Sequence, residues 1–263
     1  MDLHLSGKHV LITGGSKGIG LACAQAFLSE GARVSLVSRS ETNLANARSQ
    51  LDAYNKDCLR TYTADLTQAS SAETALEAAI TGLGPIDILV NSAGAAKRTP
   101  AAELTPQAWQ DAMNAKFFSY INMINPVIQQ MGKRGRGSVV NVIGNGGKVP
   151  SSIHLPGGAA NAALMLATAG LANAYAAKGV RVNAINPGLT RTERLKEGMA
   201  ADARLQGIEA EEAMKRALAK IPMGRMAEPE DIARVVLFLA SDAASYVTGI
   251  NMSMDGATTP IVV

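Results

Sequence analysis

The residues best suited to chemistry come early, in Val10-Leu-Ile-Thr-Gly-Gly-Ser-Lys-Gly-Ile-Gly-Leu-Ala-Cys-Ala-Gln-Ala-Phe27. An apolar run leads into glycines at 14, 18 and 20, and a helix pattern follows. That spacing suits a dinucleotide cradle. Gly14 permits a tight turn off a strand, Gly18 lets backbone approach a pyrophosphate, and Gly20 lets the helix pack close. The helix start then presents free N–H groups and a positive dipole end to the anion, with Ser16, Lys17 and Ile19 in the same turn. The plainer alternative is an ordinary glycine turn, and the strand before and helix after argue against it.

Eighteen residues beyond Gly20, a second strand ends at Ser38-Arg39. A dinucleotide unit usually places an Asp or Glu there to hold the adenosine ribose hydroxyls. Ser38 removes a carboxylate that would repel a 2′-phosphate, and Arg39 and Lys17 can each pair with one. NADP(H) is therefore expected in preference to NAD(H), on the missing acid more than on the arginine. A plain surface role for Arg39 is the alternative.

The elements that must position these residues alternate along the chain. A strand at Ala32–Ser38, a helix at Glu41–Tyr54 and a strand at Leu59–Ala64 lead to Asp65-Leu66. An alanine-rich helix over about Ser70–Thr81 precedes a strand that runs from Ile86 into Asn91-Ser-Ala-Gly94. Small residues such as Ala93 and Gly94 at a strand's carboxyl end leave room for a flat ligand. Such alternation predicts an α/β fold, a parallel sheet with helices on both faces.

The 263 residues and 27.3 kDa suit one domain spanning 1–263, and 47% hydrophobic against 18% charged residues predicts a folded chain. A net charge of +3 is too small to argue for nucleic acid, and Lys133-Arg-Gly-Arg136 reads as a solvated loop. Cys23 and Cys58 have no metal-ligand spacing and suit a reducing compartment. The start shows no signal-peptide core and no apolar run of spanning length is seen, so a soluble cytoplasmic protein without membrane partners is expected.

The chain resembles the short-chain dehydrogenase/reductase family. Thr13-Gly-Gly-Ser-Lys-Gly-Ile-Gly20 matches its cofactor turn, Asp65-Leu66 the pair beside adenine, and Asn91-Ser-Ala-Gly94 a variant of its Asn-Asn-Ala-Gly motif. Asn114 follows Trp109 where the family has a structural and catalytic Asn. Arg181-Val-Asn-Ala-Ile-Asn-Pro-Gly188 matches the sixth strand, with Thr190 and Thr192 just beyond, and Pro229-Glu-Asp-Ile-Ala to Asp255-Gly256 match the closing elements. The resemblance implies a single-domain, doubly wound sheet of Rossmann type. It also implies cofactor contacts at Pro187, Gly188, Thr190 and Thr192, a mobile substrate lid at about 189–220, and a homotetramer or homodimer built through the late helices.

It further implies three catalytic groups that are missing here. The family uses a Ser to hold the substrate oxygen and a Tyr to give or take its proton. A Lys four residues after the Tyr lowers its pKa and holds the nicotinamide ribose. Counting back from Arg181-Val-Asn puts Lys's place at Asn161, Tyr's at Gly157 and Ser's at Gly144. Tyr175 lies eighteen residues beyond Gly157, about 27 Å along a helix, and cannot substitute. Asn161 can still bond a ribose hydroxyl but brings no charge. His154 is the best replacement proton group, because imidazole titrates near neutrality, with a solvent-facing loop histidine as the alternative. Ser151, Ser152, Asn145 and Lys148 are weaker candidates. Three functions stay open: an NADP(H)-dependent oxidoreductase of unusual mechanism acting on a small molecule, a non-catalytic dinucleotide-binding protein (a sensor or subunit), and a non-redox lyase or isomerase.

Overall fold

The computed structural model describes residues 2–54, 56–94 and 98–261. Seven parallel strands run β1 His9–Thr13, β2 Arg33–Ser38, β3 Leu59–Thr63, β4 Ile88–Asn91, β5 Gly137–Val142, β6 Val180–Pro187 and β7 Asn251–Met254. Their order in the sheet is β3-β2-β1-β4-β5-β6-β7. The order reverses between β1 and β4, which opens a crevice at the carboxyl ends of those strands.

The strands read as apolar runs because both faces are covered. Val10 and Ile12 face one layer and Leu11 the other, each fully buried. On the first face α1 (Gly18–Ser29) packs against α9 (Pro229–Ala240), with Phe27 and Val236 in the core. On the second lie α3 (Ala69–Leu83), α5 (Ser119–Arg134) and α6 (Leu155–Ala176), with Leu76, Met123 and Leu164 against Leu89 and Val182. Full burial of such a side chain contributes about 1.5–3 kcal/mol.

Helix α2 (Glu41–Gln50) stops short of the expected Tyr54. The Tyr54 N–H closes on Leu51 O at 3.0 Å, and the turn carries the phenol to Ser29, 3.0 Å away. Between α4 (Pro106–Ala112) and α5, residues Met113–Phe118 form a π-helical segment. After β6 come α7 (Glu193–Gln206) and α8 (Ala210–Ala219), with their own small core of Leu195, Met199, Ile221 and Met226. Among the described residues α6 alone is long and apolar enough to cross a membrane. In this fold it lies along β6 with Leu164, Met165, Thr168 and Ala172 buried.

His9, on β1, is a buried polar residue that shapes stability. Its Nδ1 lies 2.7 Å from Gly84 O and so carries the proton, while Nε2, 2.8 Å from Ser35 Oγ, accepts. Burial lowers its pKa below 6.5, so the fold favours neutral imidazole. This contribution is complete above the unfolded value of 6.5 and is lost as pH falls through the lower folded value. The stability advantage of the wild type over His9→Phe should therefore narrow as pH falls below 6.5 in thermal melts. A gap independent of pH contradicts the assignment.

Candidate active site

A cavity of about 1890 Å³ opens at the carboxyl ends of β1, β4, β5 and β6. It exceeds the roughly 300–1,000 Å³ of a typical single-ligand pocket, which leaves space for a dinucleotide and a second molecule. A smaller cavity of about 130 Å³, near Lys8, Asp87 and Arg181 at the opposite edge, is too small for either.

One end of the large cavity is an anion cradle. Gly14, Ser16, Lys17, Gly18 and Ile19 line it, facing Gly188, Thr190 and Thr192 across the gap. A Cβ on Gly14 would sit 2.8 Å from Ala93 backbone, and one on Gly20 would sit 2.3 Å from Gly14 O. Both glycines are therefore required for turn and helix to close. Ser40, Thr105 and Thr192 cap α2, α4 and α7 with side-chain oxygens, whereas Lys17 gives α1 no such cap. The first N–H groups of α1 are thus left for a ligand, and the cradle fits a pyrophosphate. Lys17 pairs with Glu193 at 3.4 Å in solvent, a contact too weak to hold it from a phosphate. Arg39 lines the cavity further out with Asn43, Asn46 and Gln50 of α2.

Not every expected cofactor residue reaches the cavity. Gly20 lies behind the turn, and Ser38 accepts a hydrogen bond from Ser16 Oγ at 3.0 Å. Asp65 accepts from Thr67 N and Oγ1 and so caps its own turn, while Leu66 belongs to the core. Asn91 is fully buried. It accepts from Thr13 Oγ1 at 3.1 Å and donates to Asn141 Oδ1 at 3.0 Å. Asn141 in turn donates to Thr168, so this chain ties three strands to α6 and holds the Ser92–Gly94 turn in place. Ser92, Ala93, Gly94 and Pro187 do line the cavity.

At the other end Gly144, Gly157 and Asn161 meet on the cavity wall. Gly144 has φ +127°, and a Cβ there would begin 3.4 Å from Asn161 Nδ2. Asn145 stays on the cavity wall, where its Nδ2 donates to Asp255, whereas Lys148 does not line the cavity and its Nζ donates to Asn251 O and Ser253 Oγ. Ser151, Ser152 and His154 stay at the cavity. The His154 Nδ1 is buried and meets no hydrogen-bond partner among the described residues. Burial, then Arg98, Arg194 and Lys116, push its pKa below 6.5, so it is neutral at pH 7.

Asn114 points outward and does not line the cavity, so the helix offers a different residue from the one expected. The buried face runs Ala112, Lys116, Tyr120, Met123 and Ile124, and a residue two places off lies on the far side of a helix. Lys116 occupies the inward place. The residue is 7% exposed, and its Nζ donates to Tyr120 Oη at 2.8 Å and Val142 O at 3.2 Å. Tyr120 Oη donates to the same carbonyl at 2.5 Å, and burial raises its pKa, so the phenol stays neutral. Burial, helped by Arg194, lowers the Lys116 pKa to about 7. An amine in that state can give or take a proton at neutral pH. Its signal in the sequence is the i, i+4 spacing to Tyr120 within an apolar stripe, which marks an inward lysine. Arg98 and Arg194 also line this end and were likewise not singled out.

Comparison with known proteins agrees with this geometry. A family model described as enoyl-(acyl carrier protein) reductase matches residues 14–259. The chain is 33% identical to D-threitol dehydrogenase of Mycolicibacterium smegmatis over 98% of its own length and 95% of the relative's. It is also 33% identical to a 2-(S)-hydroxypropyl-CoM dehydrogenase of Xanthobacter autotrophicus, covering 99% and 100%. Among solved structures, a variant of actinorhodin polyketide ketoreductase with NADPH superposes with a TM-score of 0.92 at 28% identity, covering 97% and 98%. An NADPH-bound short-chain oxidoreductase of Pseudomonas aeruginosa with an atypical catalytic centre gives 0.87 at 31%, covering 97% and 98%. With a Rossmann-type sheet, an open cradle at its switch point and these relatives, the chain belongs to the short-chain dehydrogenase/reductase family.

Proposed function

We propose that this protein is an NADP(H)-dependent oxidoreductase interconverting a carbonyl and an alcohol, with Lys116 as its proton-transfer residue. The observation that carries the reading is one cavity holding both an uncapped helix cradle and a buried amine poised near neutrality. When bound, the cofactor supplies or accepts the hydride. In reduction the Lys116 ammonium gives its proton to the substrate oxygen; in oxidation the neutral amine takes it back. Tyr120 and Val142 O hold the amine in place, and of its three N–H bonds two go to them. Asn161 and His154 supply hydrogen bonds at the same wall, His154 as a neutral ring. Gly144 and Gly157 contribute space rather than side chains.

Support for NADP(H) over NAD(H) comes from Arg39 and Lys17 on the wall and Ser38 in the place of an acid. The NADPH-bound structural neighbours are consistent with it. The same reading takes the chain as one domain whose helices α7 and α8 (within 189–220) cover the substrate end as a lid. It works in the cytoplasm as a homodimer or homotetramer joined through late helices such as α6, where Leu166 is 77% exposed; light scattering decides the mass.

Charge-assisted bonds to a phosphate are worth about 1.5–3 kcal/mol, so Arg39→Ala should weaken NADPH binding about tenfold or more and leave NADH nearly unchanged. Equal losses for both, measured by calorimetry, contradict the 2′-phosphate role.

Lys116 makes a signed prediction for pH. Its pKa of about 7 means that reduction, which needs the ammonium, declines above that value. Oxidation, which needs the amine, rises through the same range. Lys116→Met should cost about 10²–10⁴-fold in kcat and abolish the inflection. A full-activity variant with an unchanged profile removes Lys116 from the mechanism. Tight NADPH binding with no turnover on aldehydes, ketones or enones favours a dinucleotide-binding protein without redox chemistry instead.

A further inference from the structure

Proton transfer uses one property of Lys116, and its surroundings point to a second. The ammonium carries three N–H bonds, whereas the neutral amine carries two and a lone pair. In the neutral form both N–H bonds are taken, one by Tyr120 Oη at 2.8 Å and one by Val142 O at 3.2 Å. Tyr120 Oη gives its own proton to Val142 O at 2.5 Å and has none to offer the nitrogen. The lone pair is therefore the unmatched part of the group, on a residue that lines the large cavity.

The path of the side chain is kept clear. Gly94, in the turn after β4, passes directly over the lysine stem. A Cβ there would sit 2.7 Å from Ala115 O, 3.0 Å from Lys116 Cδ and 3.2 Å from its Cα. Any larger residue would press on the stem that carries the amine. Among the described residues no acid acts on the charge of Lys116, and burial, the largest influence on it, favours the amine. Gly144 and Gly157 leave open space on the wall of the same cavity. A desolvated, uncharged lysine beside room for a carbonyl compound is a nucleophile as well as a base.

We infer that Lys116 condenses with an aldehyde or ketone in this cavity to form an imine, a covalent activity separate from hydride transfer. The nitrogen lone pair attacks the carbonyl carbon, the C=O π pair moves to oxygen, and one N–H proton follows it to give a carbinolamine. The C–O bond then breaks, and the second N–H proton leaves with the oxygen as water. Water returning by the reverse path frees the amine, so no oxidant or reductant is consumed. Condensation removes both N–H bonds, yet Val142 O keeps the bond from Tyr120 Oη, so no buried carbonyl is stranded.

Cyclohexanone with sodium cyanoborohydride tests this on the folded protein, with NADP+ added because it has no hydride to give. The reagent reduces the protonated imine to a stable secondary amine, which peptide mass spectrometry then maps. At pH 7 exposed lysines such as Lys133 are almost wholly ammonium, so Lys116 should be alkylated about tenfold or more faster. With limiting reagent the intact chain should gain a single adduct. Lys116→Arg, which keeps a cation but cannot condense, should lose that adduct and retain the slow surface labelling. Alkylation of Lys116 no faster than that of Lys133 overturns the proposal, as does an unchanged fast adduct in Lys116→Arg. The trap needs no turnover, so its outcome is separable from the redox reading. Turnover with NADPH and an unlabelled Lys116 sinks the imine alone, whereas a labelled Lys116 in a protein that never oxidises NADPH sinks the redox reading alone.

Discussion

Removing a lysine amine from water is expensive, and one end of the large cavity is arranged around that cost. Lys116 is buried on a helix facing β5, where Tyr120 and the Val142 carbonyl replace part of its hydration. They do not replace all of it, so the charged form is weakened and the amine rests near half-protonation at neutrality. Tyr120, more deeply buried, is driven the other way and keeps its proton. The family's tyrosine and lysine normally share α6. In this chain a lysine and tyrosine at the same spacing sit on the neighbouring helix in reverse order, with the lysine towards the cavity and the tyrosine behind it.

This arrangement divides labour along the cavity. The cradle end is built from backbone: glycine clearances at 14 and 20 and the uncapped start of α1. It tolerates change poorly, because a Cβ there meets main chain rather than a side chain that can move. The substrate end is built from side chains on five separate pieces, the β4 loop, the π segment, the 151–154 loop, α6 and α7. A proton-handling group can shift from one of these to another without disturbing the sheet. The Asn91–Asn141–Thr168 chain, buried below, keeps the two ends in register.

Much of this was legible in the sequence. The glycine turn predicted the cradle, alternating elements predicted the parallel sheet, and counting back from Arg181 placed Gly144, Gly157 and Asn161 on one wall. What escaped depended on the third dimension. Asn114 carried the expected residue type but faces solvent, whereas Lys116, two places on, looks like a surface lysine until Tyr120 and Met123 show which face is buried. Asn91 and Asp65 matched motifs, yet the Asn91 amide is committed to a cross-strand network and Asp65 Oδ1 to a turn. His154 reached the cavity as expected, but burial, together with cationic neighbours from distant segments, keeps the ring neutral. Arg98 and Arg194 gave no local signal because only the approach of α7 to the β4 loop brings them together.

The most direct test of the account is the charge state of one atom. Nitrogen-15 NMR of the Lys116 Nζ in the NADPH complex, followed with pH and assigned with Lys116→Met, reads it without reference to any substrate. The account predicts a transition near pH 7. A resonance that stays fully protonated until the ordinary lysine range near 10.5 would contradict it.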